Sequence, residues 1–295
     1  MISIIIVTYN NQNDITDCLT SLPWQTMQLD VVCIDNRSSD LTCQLIRTFT
    51  KENSGYPLRF ISNAYNTGYA EAINQGLRIA RGDWICVLGP DTVLNSGTLH
   101  ALKTRLDSNP KVGVVAPQLL RPDCSIQPSC RRFPTIQDVL FELTGAPRIL
   151  PTFFHSRWKM DNFDHNSEKM VDQPEATCLL IRKQALDDVG GMDTQFPIFF
   201  NDVDWCRRFY LADWTILFTP DAQIIHRQGT SVRQVPSRMI WKSHQGFYRY
   251  FRKYSRTLFE RALSILFGFC LMWTACLRIT ALHIGCLKAG MNPKE

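Results

Sequence analysis

Across 295 residues there is no Cys-x-x-Cys pair, although the chain holds 11 cysteines. Zinc knuckles and thioredoxin-type redox pairs are thereby excluded. The cysteines are odd in number and scattered, and Cys33 and Cys86 lie in the apolar runs VVCID and WICVL. Thiols in such runs behave as small core side chains, and they read as the reduced thiols of a cytosolic protein. Neither G-x-G-x-x-G nor G-x-x-x-x-G-K-[ST] follows the first apolar run, so the dinucleotide fingerprint and the ATP phosphate loop are excluded as well. The turn after that run, TYNNQND, contains no Gly, Lys or Arg. A nucleotidyltransferase would place a glycine-rich basic loop there. Neither sign of charge dominates: 32 Lys and Arg against 27 Asp and Glu leave a net charge of +5. That excess suits an anionic small molecule or lipid surface, and it falls far short of the basic stripe of a nucleic-acid binder. No short internal repeat or low-complexity segment is present. The start, MISIIIVTYNN, has an apolar run of only six residues and no basic leader, and reads as a buried strand rather than a signal peptide.

What is present alternates. Ile4 to Val7 is a continuous β-branched run, as a strand covered on both faces should be. Ile15, Cys18, Leu19 and Leu22 then recur at helical spacing, with Asn13 as a cap. VVCID (31–35), LRFIS (58–62), WICVL (84–88) and VGVVAP (112–117) read as further strands. The helices between them are marked by Leu41, Leu45 and Phe49, by residues 70–80, and by Leu99, Leu102 and Leu106. This alternation predicts an α/β fold with a mostly parallel, Rossmann-like sheet, whose ligands bind at the carboxyl ends of strands. Residues 121–175 have no firm periodicity. Order resumes with ATCLLIRKQAL, a strand running into a helix, and with WTILFTP and QIIHRQ as two short strands.

The polar residues that need explaining stand where strands end. Thr8, Tyr9 and Asn10 follow the first strand, Asp35 and Asn36 the second, and Asp91 the fourth. One such acid is ordinarily a turn residue or helix cap. Three strand ends converging on one sheet edge suggest a nucleotide whose diphosphate is neutralised by a divalent cation on carboxylate and imidazole ligands. Farther along, IFFNDVDWCRRF (198–209) places Asp202 and Asp204 at the start of a helix, ahead of Arg207 and Arg208. Caps and i,i+4 charge pairs are the default for such a cluster.

Seven segments occur in a telling order: SIIIVTYNN (3–11), VVCIDNRSSD (31–40), NTGYAEAINQGLRIARGDWICVLGPDTVL (66–94), VGVVAPQLLRPDCSIQPSCRRFP (112–134), TCLLIRKQALDDVGGMD (177–193), FFNDVDWCRRF (199–209) and IIHRQGTS (224–231). Together they resemble the family 2 glycosyltransferases, in their rhamnosyltransferase-like branch, which share the GT-A nucleotide-diphospho-sugar transferase fold. The resemblance covers residues 1–235 and implies one GT-A domain there, with a nucleotide-binding half over 1–120 and an acceptor-side half over 121–235. It implies that Asp35 recognises the nucleobase, with Thr8, Tyr9 and Asn10 lining the same pocket. Asn66, Gly68 and Asn74 would meet ribose and diphosphate, with Arg81 nearby. Asp91 would bind Mg2+ or Mn2+, His226 would complete that site, and Asp202 would be the catalytic base. Two positions depart from the family pattern. Gly89 stands where the metal motif commonly opens with Asn, and Asn201 where many relatives carry Glu.

The activity implied is inverting, metal-dependent transfer of a hexosyl group, rhamnosyl first, from a dTDP- or UDP-sugar to a cell-surface glycan or lipid-linked acceptor. A catalytically inactive, sugar-nucleotide-binding relative is the alternative, with a nucleotidyltransferase ranked behind it. Asp204 is expected to anchor the helix that presents Asp202. His100, His155, His165, His244 and His283 have no partner at useful spacing and are read as structural. In the last sixty residues, Arg249, Arg252, Lys253, Arg256 and Arg261 precede an apolar stretch over 262–277, which Arg278 interrupts. A basic amphipathic helical tail over 236–295, lying on anionic lipid at the inner face of the membrane, is expected; a helical hairpin packed on the domain is the competing reading.

Overall fold

The computed structural model of the protein describes residues 1–144, 157–227 and 236–288. His155 and the end of IIHRQGTS, residues 228–231, lie outside them. The chain divides into two compact units. The first is made of Met1–Phe133, Lys159–Pro197 and Asn201–Gln228, and the second of the described parts of Pro134–Trp158, Ile198–Phe200 and Gly229–Glu295.

In the first unit, Ile2–Thr8 (β1) and Leu29–Asp35 (β2) are buried at every position. Alternate side chains feed the two faces of the sheet. Ile4, Ile6, Val31 and Cys33 join one apolar cluster, and Ile5, Val7, Val32 and Ile34 the other, as the two-residue period requires. Helices Ile15–Thr20 (α1), Thr42–Glu52 (α2) and Thr98–Ser108 (α4) contribute to the first cluster. Tyr69–Ile79 (α3), Lys183–Val189 (α6) and Asn201–Leu211 (α7) contribute to the second. Gly76 lets α3 lie close on the sheet, since a Cβ there would stand 2.5 Å from Ile5 Cγ2.

The remaining strands are Leu58–Ser62 (β3), Trp84–Leu88 (β4), Thr92–Leu94 (β5), Val112–Leu120 (β6), Ile126–Gln127 (β7), Cys130–Arg131 (β8), Lys169–Met170 (β9), Gln173–Pro174 (β10), Cys178–Arg182 (β11) and Thr215–His226 (β12). The large sheet runs β3-β2-β1-β4-β11-β6-β12-β5. Its β3-β2-β1-β4 half is parallel. β11 then enters antiparallel to both β4 and β6, so the sheet is mixed across its width. WTILFTP and QIIHRQ form one strand rather than two. β12 follows β6 throughout and absorbs the interruption as a register shift between Thr219 and Gln223. Pro220 sits in that shift, where its missing N–H costs no ladder bond.

In the second unit, Ile136–Thr144 (α5), Pro236–Tyr254 (α8) and Leu258–Lys288 (α9) share a small core of Val139, Phe267 and Leu271. Phe200, at a left-handed φ of 67°, packs edge-on against Phe247 with ring centroids 4.5 Å apart. The apolar stretch is therefore part of one 31-residue helix that continues through Arg278. Leu258–His283 is long and apolar enough to cross a membrane by length and composition, and only 22% of its most apolar window is buried.

Candidate active site

The carboxyl ends of β1 and β2 are in register, with Thr8 opposite Asp35. The Thr8 hydroxyl donates to Asp35 Oδ1 at 2.9 Å, and Ser38 donates its hydroxyl to the same oxygen and its N–H to Oδ2 at 2.9 Å. Asp35 is fully buried and its carboxylate shapes the loop after β2. Beside it Tyr9 is exposed, and Asn10 adopts φ 56°, a left-handed conformation that asparagine tolerates. Asn10 Oδ1 accepts the N–H of Ser39 at 2.8 Å. The 63–68 loop is tied to this edge through Asn36, whose Oδ1 accepts the Thr67 N–H at 2.9 Å and whose Nδ2 donates to Asn66 Oδ1 at 3.0 Å. Gly68 begins α3 at φ 85°, with Pro197 Cβ only 3.1 Å from where a Cβ would sit. Thr8, Tyr9, Asn10, Asp35, Asn66 and Gly68 are thus gathered along one edge.

Two residues of the expected nucleotide set are placed elsewhere. Asn74 exchanges two hydrogen bonds with the backbone of Met192, donating from Nδ2 to the carbonyl at 2.8 Å and accepting the N–H at 2.8 Å. Its amide is spent on pinning that loop. Arg81 lies at the opposite, amino edge of the sheet, where its N–H bonds Ser3 Oγ at 2.9 Å. The five-residue separation of Ser3 from Thr8 corresponds to about 16 Å along a strand, beyond the reach of an arginine side chain. The reason is topological: α3 carries the chain back to the amino edge before β4 begins.

Asp91 closes the turn after β4, and His226 is the last residue of β12. The antiparallel pairing of β12 with β5 sets His226 opposite Thr92. His226 Nε2 comes within 3.3 Å of Asp91 Oδ2. Gly89 leaves room for that carboxylate, since a Cβ there would stand 3.0 Å from Asp91 Oδ1. Arg227 follows, with Nη2 2.7 Å from Asp17 Oδ2 and Nη1 3.7 Å from Asp14 Oδ1. Burial and then the nearby Asp91 charge hold the Asp14 carboxyl above the usual range. A carboxylate and an imidazole at this distance are two ligand types that a divalent cation accepts; among the described residues no group of three or more such side chains gathers, so most of a cation's shell would have to come from phosphate oxygens and water.

Asp202 begins α7 beside Asn201, whose Oδ1 accepts the Asp202 N–H at 2.7 Å. Asp202 Oδ1 accepts the Val203 N–H at 2.8 Å, and Oδ2 accepts from Gln173 Nε2 at 3.1 Å. Burial raises its carboxyl above the ordinary value, against the lowering effect of the Val203 N–H and Arg131. A carboxylate tuned upward in this way is the stronger base when ionised. Asp204, two residues on, differs: it is 0% exposed and accepts from Arg208 Nε at 2.9 Å. Arg208 also donates to the carbonyls of Val189 and Gly191. Asp204 is therefore an anchor of the helix. Arg207 lies over the Phe133 ring, 4.7 Å from its centroid.

Several site residues escaped the sequence reading. The Tyr69 hydroxyl is held well above its usual range by burial, then by the fields of both Asp202 and Asp91. Gln127, Gln173 and Glu175 lie in or beside two-residue strands, too short to show any periodicity. Their only signal was membership of SIQPSCRRFP and of the approach to TCLLIRKQAL. Arg131 pairs with Glu175 at 3.4 Å. His165 is structural, as expected: its Nδ1 donates to the Phe163 carbonyl at 2.8 Å.

Residues 3–168 match the family described as Glycosyl transferase family 2. Over 264 residues the chain is 26% identical to N-acetylglucosaminyl-diphospho-decaprenol L-rhamnosyltransferase of Mycobacterium tuberculosis, covering 84% of this chain and 83% of that one. Among solved structures, mannosyltransferase PcManGT from Pyrobaculum calidifontis, in complex with GDP-Man and Mn2+, has a TM-score of 0.59 at 18% identity, covering 99% of this chain and 76% of that one. S. aureus TarS in complex with UDP-GlcNAc has a TM-score of 0.54 at 16% identity, covering 92% of this chain and 71% of that one. These two likenesses show the fold, the mixed α/β sheet of GT-A glycosyltransferases. The family match spans more than half of the 295 residues and includes the whole edge from Thr8 to Asp91, which makes this chain a member of glycosyl transferase family 2.

Proposed function

We propose that this chain is an inverting, metal-dependent hexosyltransferase. It moves a sugar, with rhamnose the leading choice, from a dTDP- or UDP-linked donor to a glycan or lipid-linked acceptor of the cell surface. The observation that carries the reading is the meeting of His226 and Asp91 at the carboxyl end of the sheet, Nε2 to Oδ2 at 3.3 Å, on the edge that also holds Thr8 and Asp35. Asp202, at the start of α7, supplies a second acid, and its charge acts on the same Tyr69 hydroxyl as that of Asp91. The acceptor hydroxyl attacks the anomeric carbon and gives its proton to Asp202. The bond from that carbon to the phosphate oxygen breaks, and its electron pair leaves with the nucleoside diphosphate. One base opposite one leaving group makes a single displacement with inversion. A Mg2+ or Mn2+ ion held by Asp91 and His226 would supply Lewis acidity toward the departing diphosphate. The rhamnosyl choice rests on the name of the mycobacterial relative.

Place follows from the second unit. α9 exposes Leu258, Phe259, Leu266, Phe269 and Trp273, and basic residues from Arg249 to Arg261 precede or open it. That combination suits a cytoplasmic enzyme held at an anionic membrane face, where lipid-linked acceptors reside.

The test is a panel of dTDP- and UDP-sugars, assayed for hydrolysis and transfer with Mn2+ or Mg2+. Asp202→Asn should lower turnover by about 10²–10⁴-fold, the usual worth of general base catalysis, and leave donor affinity unchanged. Wild-type turnover by Asp202→Asn would remove the base assignment.

A further inference from the structure

The apolar stretch of α9 and the cations of α8 belong to one helical hairpin. A capping box holds its turn: Glu260 Oε2 accepts the Thr257 N–H at 3.0 Å and the Arg256 N–H at 2.6 Å, and Thr257 Oγ1 accepts the Glu260 N–H at 3.1 Å. Beyond the turn the helices stay together. Phe251 and Phe267 meet edge-on with ring centroids 5.6 Å apart. Gly268 lets Tyr248 approach so closely that a Cβ would stand 2.5 Å from its Cδ2. Farther along, burial and then the Arg278 charge hold the His244 ring below its usual range. α8 therefore accompanies α9 along its apolar stretch as far as Arg278.

Between Arg261 and Arg278, α9 carries no charged or amide side chain. Ser264 and Thr274 turn their hydroxyls back to the carbonyls of Arg261 and Leu271. The inner side of the helix, Phe267 and Leu271, packs with Val139 and with the partly buried Phe247, Tyr248 and Phe251. Its outward arc holds Ile265, Leu266, Phe269, Trp273 and Leu277, all exposed. A helix apolar on both sides has no polar face of its own. α8 supplies one. Arg238, Lys242, Arg249, Arg252 and Lys253 fall within about 100° of arc at 3.6 residues per turn. That stripe is turned away from Gly246, Phe247 and Tyr250, which face Phe200. It shares with Ile265 and Phe269 the side of the hairpin opposite Val139 and Phe200. The amphipathic unit is thus the pair of helices, not α9 alone.

This pairing decides how the hairpin meets a bilayer. The 16 residues over 262–277 rise about 24 Å, short of the roughly 30 Å hydrocarbon core. An upright α9 would also carry Arg249, Arg252 and Lys253, at the level of Phe267 and Gly268, into hydrocarbon, where such cations are strongly disfavoured. We propose that α8 and α9 together form an in-plane anchor for an anionic bilayer, which they enter from one side and do not cross. The outward arc of α9 lies among the acyl chains, and the α8 stripe meets lipid phosphates beside it. The anchor rests on the membrane placement of the second unit, not on the transfer chemistry, which lipid-free donor hydrolysis tests by itself.

Depth measurement on the full chain tests this. A spin label is placed either at Ile265→Cys or at the exposed Cys276, with Cys43, Cys124, Cys270, Cys286 and the unused thiol changed to serine. The two positions share the outward arc and stand about 16 Å apart along the helix axis. On vesicles of phosphatidylglycerol and phosphatidylcholine, power saturation with oxygen and a nickel chelate should place both labels at the same depth. A depth difference near 16 Å overturns the in-plane anchor and leaves the membrane placement standing. Failure of the protein to bind these vesicles overturns both. Spin–spin coupling between labels without lipid contact overturns both in favour of a second copy of this chain. In parallel, Arg249→Gln/Arg252→Gln/Lys253→Gln should bind the anionic vesicles about 100-fold more weakly, the combined effect of three cations near such a surface. Its metal-dependent donor hydrolysis without lipid should equal that of wild type. Undiminished vesicle affinity in this variant overturns the role of the α8 stripe.

Discussion

Asp202 and Asp204 stand two residues apart on α7, and the structure gives them opposite energetic signs. The matched substitutions Asp202→Asn and Asp204→Asn expose the difference. Asp204 is 0% exposed and its Arg208 partner 21% exposed. Removing one member of a buried ion pair costs about 3–5 kcal/mol. Arg208 keeps two carbonyl acceptors, at 2.8 and 2.7 Å, after the loss. The lower end, about 3 kcal/mol, is therefore expected for Asp204→Asn. Asp202 behaves the other way. Its folded carboxyl is raised above the usual aspartate value of 3.8, with burial the first cause. A group with a raised folded pKa stabilises the fold below its unfolded pKa and loses that contribution as pH rises through the folded value. At pH 7.5 the ionised Asp202 is a net cost, and an uncharged isostere removes it. Gln173 can accommodate the asparagine by turning its amide, since its buried Oε1 has no hydrogen-bond partner among the described residues. Asp202→Asn should therefore be at least as stable as wild type at pH 7.5, with any advantage vanishing near pH 4. Guanidinium denaturation at both pH values measures this, with donor transfer assayed in parallel. The reasoning is refuted if Asp202→Asn is as damaging to stability as Asp204→Asn, or if Asp204→Asn costs less than about 1 kcal/mol, the level of an ordinary exposed pair.

Three other outcomes are expected. Gly76→Val drives a side chain into Ile5, whose Cγ2 lies 2.5 Å from the Cβ position; overpacking of this kind should cost about 1–3 kcal/mol in a denaturation midpoint. Burial holds His165 below the ordinary histidine pKa, so its stabilising contribution is complete above the unfolded value of about 6.5 and declines below it by up to about 1.4 kcal/mol per pH unit. His165→Gln should flatten that part of the stability–pH curve, and an unchanged slope would contradict the assignment. On α9, Phe269 is 72% and Trp273 69% exposed. Replacing both with Glu should reduce co-sedimentation with anionic vesicles by more than about 100-fold, from about 1.5–3 kcal/mol per buried large side chain, and retention of vesicle binding would count against a membrane role for this helix.

Much of the first unit was legible because its signals are local. The run Ile4 to Val7 and its counterparts specify strands through β-branched continuity, and the helices between them show their apolar spacing. The turn residues Asn10 and Gly68 carry their own conformational reasons, at φ 56° and 85°. Distinctions that depend on direction or partnership were not legible. Arg81 reads as part of a ligand-binding segment until α3 is seen to return it to the amino edge. Asn74 reads as a polar contact until Met192 occupies both ends of its amide. The spacing of Asp202 and Asp204 does not separate them; the family resemblance did, and the burial of Asp204 with its Arg208 partner supplies the physical reason for its anchoring role.

What the sequence determined by itself was the order of elements, the edge at which strand ends collect polar groups, and the family. Each of these depends on residue type and spacing along a continuous stretch of chain. The tertiary structure decided which distant groups meet. Asp91 reaches His226 because β12 pairs with β5, and His226 reaches Glu175 through a glutamine on a strand of two residues. Such contacts depend on sheet order and register, which the local chemistry of a segment cannot encode without the rest of the fold.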